Sequence, residues 1–242
     1  MHKLEMIGKT DAGRIRANNE DIFRVNAEAG YCLVADGMGG AAAGEMASQI
    51  FAQTAAEILE ASRIMNVHEM VDRLRSAFLQ ANTRILEHVQ SYPDHKGMGC
   101  TAEMLAFTGT DFVIGHIGDS RTYRWRHGTF MQLTKDHSLV QDMTDQGLIT
   151  AEQARSHSMR NVILRAVGVR PSPVLDTLQG PVFAGDIFLL CSDGLTDLVD
   201  DEEIVEIIQA KKNLASKADQ LIEKANSAGG KDNITVALVE VT

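Results

Sequence analysis

Short apolar runs open the chain at Leu4 to Ile7, Ile22 to Val25 and Tyr31 to Ala35, each bounded by Gly, Asp or Asn, and these predict strands. The period then changes. From Gly44 through Ala61, Met46, Ala47, Ile50, Phe51, Ala55, Ile58 and Leu59 recur at helical spacing, and Met70, Leu74, Phe78, Ala81, Ile85 and Val89 repeat that spacing over Val67 to Val89. Two amphipathic helices therefore interrupt a run of strands. Strand pattern resumes at Thr101 to Phe107, Phe112 to Ile117 and Thr122 to Trp125, with His127-Gly128 turning the chain into Phe130 to Leu133.

The stretch from His137 to Gly168 is more polar and reads as an insertion of short helices and loop. Thr150-Ala151-Glu152-Gln153 within it has the spacing of a capping box, where a hydroxyl and an amide satisfy two helix-start N–H groups reciprocally. Strands follow near Val174 to Leu178 and Ile187 to Cys191. Helices from Glu202 to Ala210 and Leu214 to Ala225 come next, and a strand closes the pattern at Ile234 to Val241. Strands in series with helices in pairs, rather than strict βαβ alternation, predict an α+β fold of antiparallel sheets with helical layers outside them.

The 242 residues and 44% hydrophobic content suit one globular domain, and there is no linker-like segment or repeat to divide them. A formal charge of -10, with Lys and Arg scattered, opposes a nucleic-acid partner. Met1 to Met6 lacks a signal-peptide core and no apolar run spans a bilayer, so a cytoplasmic protein is expected. Cys32, Cys100 and Cys191 lie in apolar strand-like segments and read as reduced core thiols.

Candidate chemistry lies where strands end. Val34-Ala35-Asp36-Gly37 and Cys191-Ser192-Asp193-Gly194 each run from an apolar strand into an acidic, glycine-bearing turn. Asn19-Glu20-Asp21, Gly118-Asp119-Ser120-Arg121 and Gly230-Lys231-Asp232-Asn233 are similar junctions. Each alone is explained as a turn, since Asp and Gly suit chain reversal. As a set they describe carboxylates that converge on hard cations, because oxygen-only donors suit magnesium, manganese or calcium and zinc recruits His or Cys. The acidic run Asp200 to Glu203 is read instead as a helix start. His116, in an apolar strand, reads as a core residue, and His137 as one that shapes the entrance to the polar insertion.

Thr10-Asp11-Ala12-Gly13-Arg14-Ile15-Arg16 sets an arginine, whose planar fork matches phosphate oxygens, just before the acidic turn. With these motifs in order over nearly the whole chain, the sequence resembles the metal-dependent, type 2C serine/threonine protein phosphatases, in particular bacterial single-domain members. The resemblance implies a four-layer αββα sandwich, two packed antiparallel sheets flanked by helix pairs, and a mobile flap at about 137–168 that contains Arg160. It implies that Arg16 binds the substrate phosphate, with Arg160 a further substrate-binding residue. Asp36 would be shared by two divalent cations, manganese or magnesium, with Gly37 adding its carbonyl. Asp193 and Asp232 match ligands of the first ion, Glu20 and Asp21 match acidic positions that bind the second or hold its waters, and Asp119 matches a position that helps Asp193 hold a third, weaker one. The implied reaction is direct attack on phosphorus by a water that two ions about 4 Å apart activate. Implied partners are phosphorylated proteins, among them a Ser/Thr kinase, and the chain is expected to be a monomer.

One position departs from that pattern. Members of this bacterial type read Asp-Gly-Met-Gly-Gly-His, whose histidine can protonate the leaving oxygen, whereas Gly40 is followed here by Ala41. Since a proton donor speeds a poor leaving group by roughly 10²- to 10⁴-fold, slow turnover of phosphopeptides with aryl phosphate hydrolysis retained is one expectation. Another is that metal-bound water supplies the proton and Ala41 is silent. The rival from a different class is a degenerate module that binds phosphoprotein with weak turnover.

Overall fold

The computed structural model describes residues 2–39, 43–61 and 66–242. Its first part contains β1 (Leu4–Asp11), β2 (Asp21–Asn26), β3 (Tyr31–Met38), α1 (Ala43–Leu59) and α2 (Val67–Ser91). The short β4 (Gly99–Cys100) leads into β5 (Ala102–Thr108), β6 (Asp111–Ile117), β7 (Arg121–Arg126) and β8 (Thr129–Gln132). After α3 (Leu139–Asp145) and α4 (Ala151–Arg155) come β9 (Asp176–Pro181), β10 (Ile187–Cys191), α5 (Asp193–Thr196), α6 (Asp201–Gln209), α7 (Leu214–Ser227) and β11 (Ile234–Val241).

The strands form two antiparallel sheets, ordered β1-β11-β10-β7-β8 and β2-β3-β5-β6-β9, with β4 on β3. The period of two along each strand divides the core into three. Phe188, Leu190, Ala237 and Val239 of one sheet meet Cys32, Val34, Leu105 and Ile114 of the other between the sheets. The alternate residues Leu189, Cys191, Val236 and Leu238 face outward onto Ile204, Ile208, Ala218 and Leu221 of α6 and α7. On the far side Tyr31, Leu33, Met104 and Val113 pack on Phe51, Ala55, Leu74 and Phe78 of α1 and α2. Central strands are thus buried on both faces, which is why β10 reads as an unbroken apolar run. The four-layer αββα architecture is as expected.

Local chemistry sets the boundaries. His127 (φ 49°) and Gly128 (φ 83°) both take positive φ, as a two-residue type I′ hairpin requires. Thr150 and Gln153 form the capping box that starts α4. Asp200 accepts the N–H of Glu203 at the start of α6, so that acidic run is structural. β9 lies two residues later than its pattern indicated, because this edge strand is exposed almost throughout and has no apolar period to mark it. The single helical turn of α5 stands where the sequence predicts only a glycine-bearing turn. All three cysteines are buried and free. Among the described residues no helix is long and apolar enough to cross a membrane.

Candidate active site

Antiparallel pairing brings the acidic junctions to one end of the molecule. β10 ends at Cys191, which is paired with Arg121 at the start of β7 and with Val236 near the start of β11. Asp119, Asp193 and Asp232 therefore leave one sheet at the same end. In the second sheet Asp21 opens β2 directly opposite Asp36 near the end of β3. Hydrogen bonds join the two ends: Ser192 Oγ donates to Asp21 Oδ2 at 2.7 Å, and the Glu20 N–H donates to Asn233 Oδ1 at 2.8 Å. Asn233 also holds the loop that carries Arg16, donating to the carbonyls of Ala12 and Asn18.

Burial and mutual repulsion dominate the electrostatics. Asp36 is held well above the ordinary carboxylate range by burial and then by the charges of Asp21, Asp193, Asp119 and Asp232. Asp193 is raised in the same way, by burial and then by Asp119, Asp197 and Asp232. Burial pushes Asp119 up to about 7, with Asp136 adding to it. Asp21 rises to about 6, again through burial, although Thr235 and Ser192 hydrogen bonds oppose the rise. Like charges placed opposite one another on neighbouring strands are destabilising unless something neutralises them.

The donor set fits hard divalent cations. Oδ1 of Asp21, of Asp119 and of Asp193 is buried and has no hydrogen-bond partner. A buried carboxylate oxygen left in that condition is costly unless it takes a ligand. Among the described residues no three His, Cys, Asp or Glu side chains already close into a finished cation cage. The Thr235 and Ser192 hydrogen bonds to Asp21 and the Arg121 charge near Asp119 offset only part of the repulsion, and Asp232 is engaged by Arg16, whose Nη2 lies 2.8 Å from Asp232 Oδ2. Gly37 and Glu20 share a second patch. A Cβ on Gly44 would fall 2.8 Å from both Glu20 Oε2 and the Gly37 carbonyl oxygen, so glycine at the start of α1 leaves those two donors open. Glu20 itself is raised, chiefly by burial.

Arg160 makes no ion pair with Asp36, Asp193 or Asp232 among the described contacts. Its Nε donates to Asp197 Oδ2 at 3.3 Å, across a cleft of about 370 Å³ that Asp119 and Asp193 also line. Ala41 and Gly40 lie outside the described residues. Three polar residues that position the site, Ser192, Asn233 and Thr101, have no role that the sequence alone predicts. The first two sit beside Asp193 and Asp232 in the acidic junctions, which was the available signal. Thr101 had none, because its role depends on a fold contact: Thr101 Oγ1 accepts the Asp36 N–H at 3.1 Å and lies 2.7 Å from Ser120 Oγ.

A protein phosphatase 2C family model matches residues 13–233. The chain belongs to that family, and its activity class is protein-serine/threonine phosphatase. It is 40% identical to the serine/threonine phosphatase stp of Listeria welshimeri over 96% of this chain and 94% of that protein. It is 41% identical to the serine/threonine protein phosphatase PstP of Mycobacterium tuberculosis over 98% of this chain, which spans only 45% of that longer protein. The catalytic domain of PstP, solved in complex with two manganese ions, superposes with a TM-score of 0.92 at 38% identity over all of both chains. These likenesses disfavour the degenerate binding module.

Proposed function

We propose that the chain hydrolyses phosphoserine and phosphothreonine in proteins by single-step transfer of the phosphoryl group to water, with manganese or magnesium held at the junction of the two sheets. The carrying observation is the trio of buried, unpartnered oxygens on Asp21, Asp119 and Asp193 beside Asp36. Asp36, Asp193 and Asp232 would hold one ion, Asp36 with Glu20, Asp21 and the Gly37 carbonyl a second, and Asp119 with Asp193 a weaker third. When bound, such ions supply an activated water and neutralise charge on the phosphoryl oxygens. Arg16 orients the phosphate. It is half exposed and spends one of its five donors on Asp232, leaving others to bind the substrate in a fixed register. Arg160, held on Asp197 across the cleft, contacts the substrate from the 137–168 flap. The whole chain serves as one catalytic domain, a monomer.

A Ser/Thr kinase and its phosphorylated targets are the partners that such chemistry opposes. Three buried free thiols favour a reducing compartment, the cytoplasm. Three measurements test the reading. Arg16→Ala should lower kcat/KM for a phosphothreonine peptide roughly 10²-fold, the scale of one lost transition-state donor. Phosphate release that continues unchanged after metal chelation would overturn it. Ala41→His should accelerate the phosphopeptide roughly 10²-fold and leave an aryl phosphate nearly unchanged; equal effects on both would show that Ala41 is not limiting proton delivery.

A further inference from the structure

We propose that His137 is a positioning residue for the phosphatase reaction, a neutral imidazole that clamps the base of the 137–168 flap to the turn bearing Asp119. The inference rests on the reading of Asp119 and Asp36 as working carboxylates. His137 is buried, and its backbone and its ring both grip Gly118: the His137 N–H donates to the Gly118 carbonyl at 2.7 Å, and the Gly118 N–H donates to His137 Nδ1 at 3.1 Å. The other end of the flap closes on the same residue, since the Leu164 N–H donates to the His137 carbonyl at 2.7 Å. Ser138 and Ile163 bridge beside it, and the Leu139 N–H donates to the Val162 carbonyl.

The ring's protonation follows from its partners. Nδ1 accepts from Gly118, so the proton sits on Nε2 and is donated to Asp176 Oδ2 at 3.1 Å; Arg165 Nη1 lies 3.1 Å from the same Nε2 and, with that nitrogen protonated, takes Asp176 Oδ1 at 3.0 Å as its acceptor. Burial keeps this ring neutral by drawing its pKa down to about 4. Gly118 has φ +120°, and a Cβ there would meet the Thr101 side chain at 2.5 Å, so the turn is pressed against Thr101 as well as clamped by His137. From Thr101 the chain of hydrogen bonds runs in two directions, to Ser120 Oγ at 2.7 Å and from the Asp36 N–H at 3.1 Å. The backbone of His137 thereby joins both ends of the flap, and its ring ties that junction to the turn bearing Asp119 and, through Thr101, to Asp36. The sequence predicts only that His137 shapes the entrance to the polar insertion, because Gly118 and Leu164 reach it only in the fold.

The two amide isosteres of histidine separate its two nitrogens. Asparagine places an acceptor near the Nδ1 position and can still take the Gly118 N–H, whereas glutamine reaches only the Nε2 position and can serve Asp176 alone. For His137→Asn we expect protection of the Gly118 amide in hydrogen exchange on the metal-free protein, and kcat with saturating manganese within about 3-fold of the parent. His137→Gln and His137→Ala should lose that protection and fall about 10-fold or more in kcat on both a phosphopeptide and an aryl phosphate. Restoration by Gln rather than Asn, parent-like kcat in all three variants, or a fall in kcat with the Gly118 amide still protected would each overturn the proposal. If the Ala variant does not fold, the Asn and Gln pair carries the test, and an Asn variant that fails to fold also overturns it. Asp193→Ala, assayed alongside, keeps a failure of the metal reading distinguishable: activity surviving in that variant refutes the reading whatever His137 does.

Discussion

Two groups of buried carboxylates lie at neighbouring positions of the same sandwich and are treated in opposite ways. Glu103, fully buried on β5, has both oxygens engaged: His116 Nδ1 is 2.6 Å from Oε2 and Thr122 Oγ1 donates to Oε1. His116 in turn directs Nε2 to the Lys135 carbonyl at 2.9 Å. Burial works against an imidazolium there, but the Glu103 charge and hydrogen bond outweigh it and the His116 pKa ends above its ordinary value. At the sheet ends, Asp21, Asp119 and Asp193 keep an oxygen buried and unpartnered beside Asp36. A carboxylate satisfied by its own chain is part of the scaffold, whereas one left unsatisfied among like charges is reserved for something the chain does not itself supply. His116, expected as a satisfied core residue, belongs to the first kind.

The comparison can be broken at several points. Asp193→Ala should abolish metal-dependent turnover, by roughly 10³-fold or more, since several kcal/mol of charge stabilisation would go with the ion; a phosphatase assay with and without manganese reads this directly. Glu103→Ala should instead destabilise the fold by about 1–3 kcal/mol, with or without metal, because it leaves the buried His116 ring and Thr122 hydroxyl without their acceptor. Chemical denaturation in chelator and in manganese checks it, and a loss confined to the manganese arm would place Glu103 in the wrong group.

Acidity sharpens the contrast further. Burial raises Asp21 and Asp119 from 3.8 to about 6 and about 7, so the metal-free folded state holds protons that the unfolded chain has released. Stability of the metal-free protein should therefore fall as pH climbs from near 4 to about 7, and saturating manganese should flatten that fall. Denaturation midpoints measured across this window are the check; stability that rises with pH in chelator would contradict the assignment. The smallest effect is expected in the polar insertion: Thr150→Ala removes the cap of α4 and should cost about 1 kcal/mol locally, seen as faster amide exchange at the start of that helix with no change at Glu103.

Much of this was legible in the sequence because it is local. Amphipathic period defined the helices that cover the sheets, Thr150-Ala151-Glu152-Gln153 predicted its own cap, and the acidic strand ends predicted which carboxylates the fold would gather. The convergence was also inferable, since antiparallel pairing sets the end of one strand beside the start of its neighbour. The partner of each oxygen was not. Ser192 reaching Asp21, Asn233 reaching Glu20, and Thr101 joining Asp36 to Ser120 span 171, 213 and 65 or 19 residues, and short polar side chains leave no periodic trace. β9 escaped for a related reason: an exposed edge strand is specified by its pairing with β6, not by its own pattern.

The most direct test of a carboxylate cluster reserved for cations is the thermal stability of Asp193→Asn. This change keeps the side chain's shape and removes one of the repelling charges. In chelator the variant should melt above the parent, by roughly 2–4 °C for each kcal/mol of repulsion relieved, and in saturating manganese it should melt below the parent because it binds the ion more weakly. A variant less stable than the parent in chelator would show that Asp193 already has its stabilising partners within the protein, and would contradict the account.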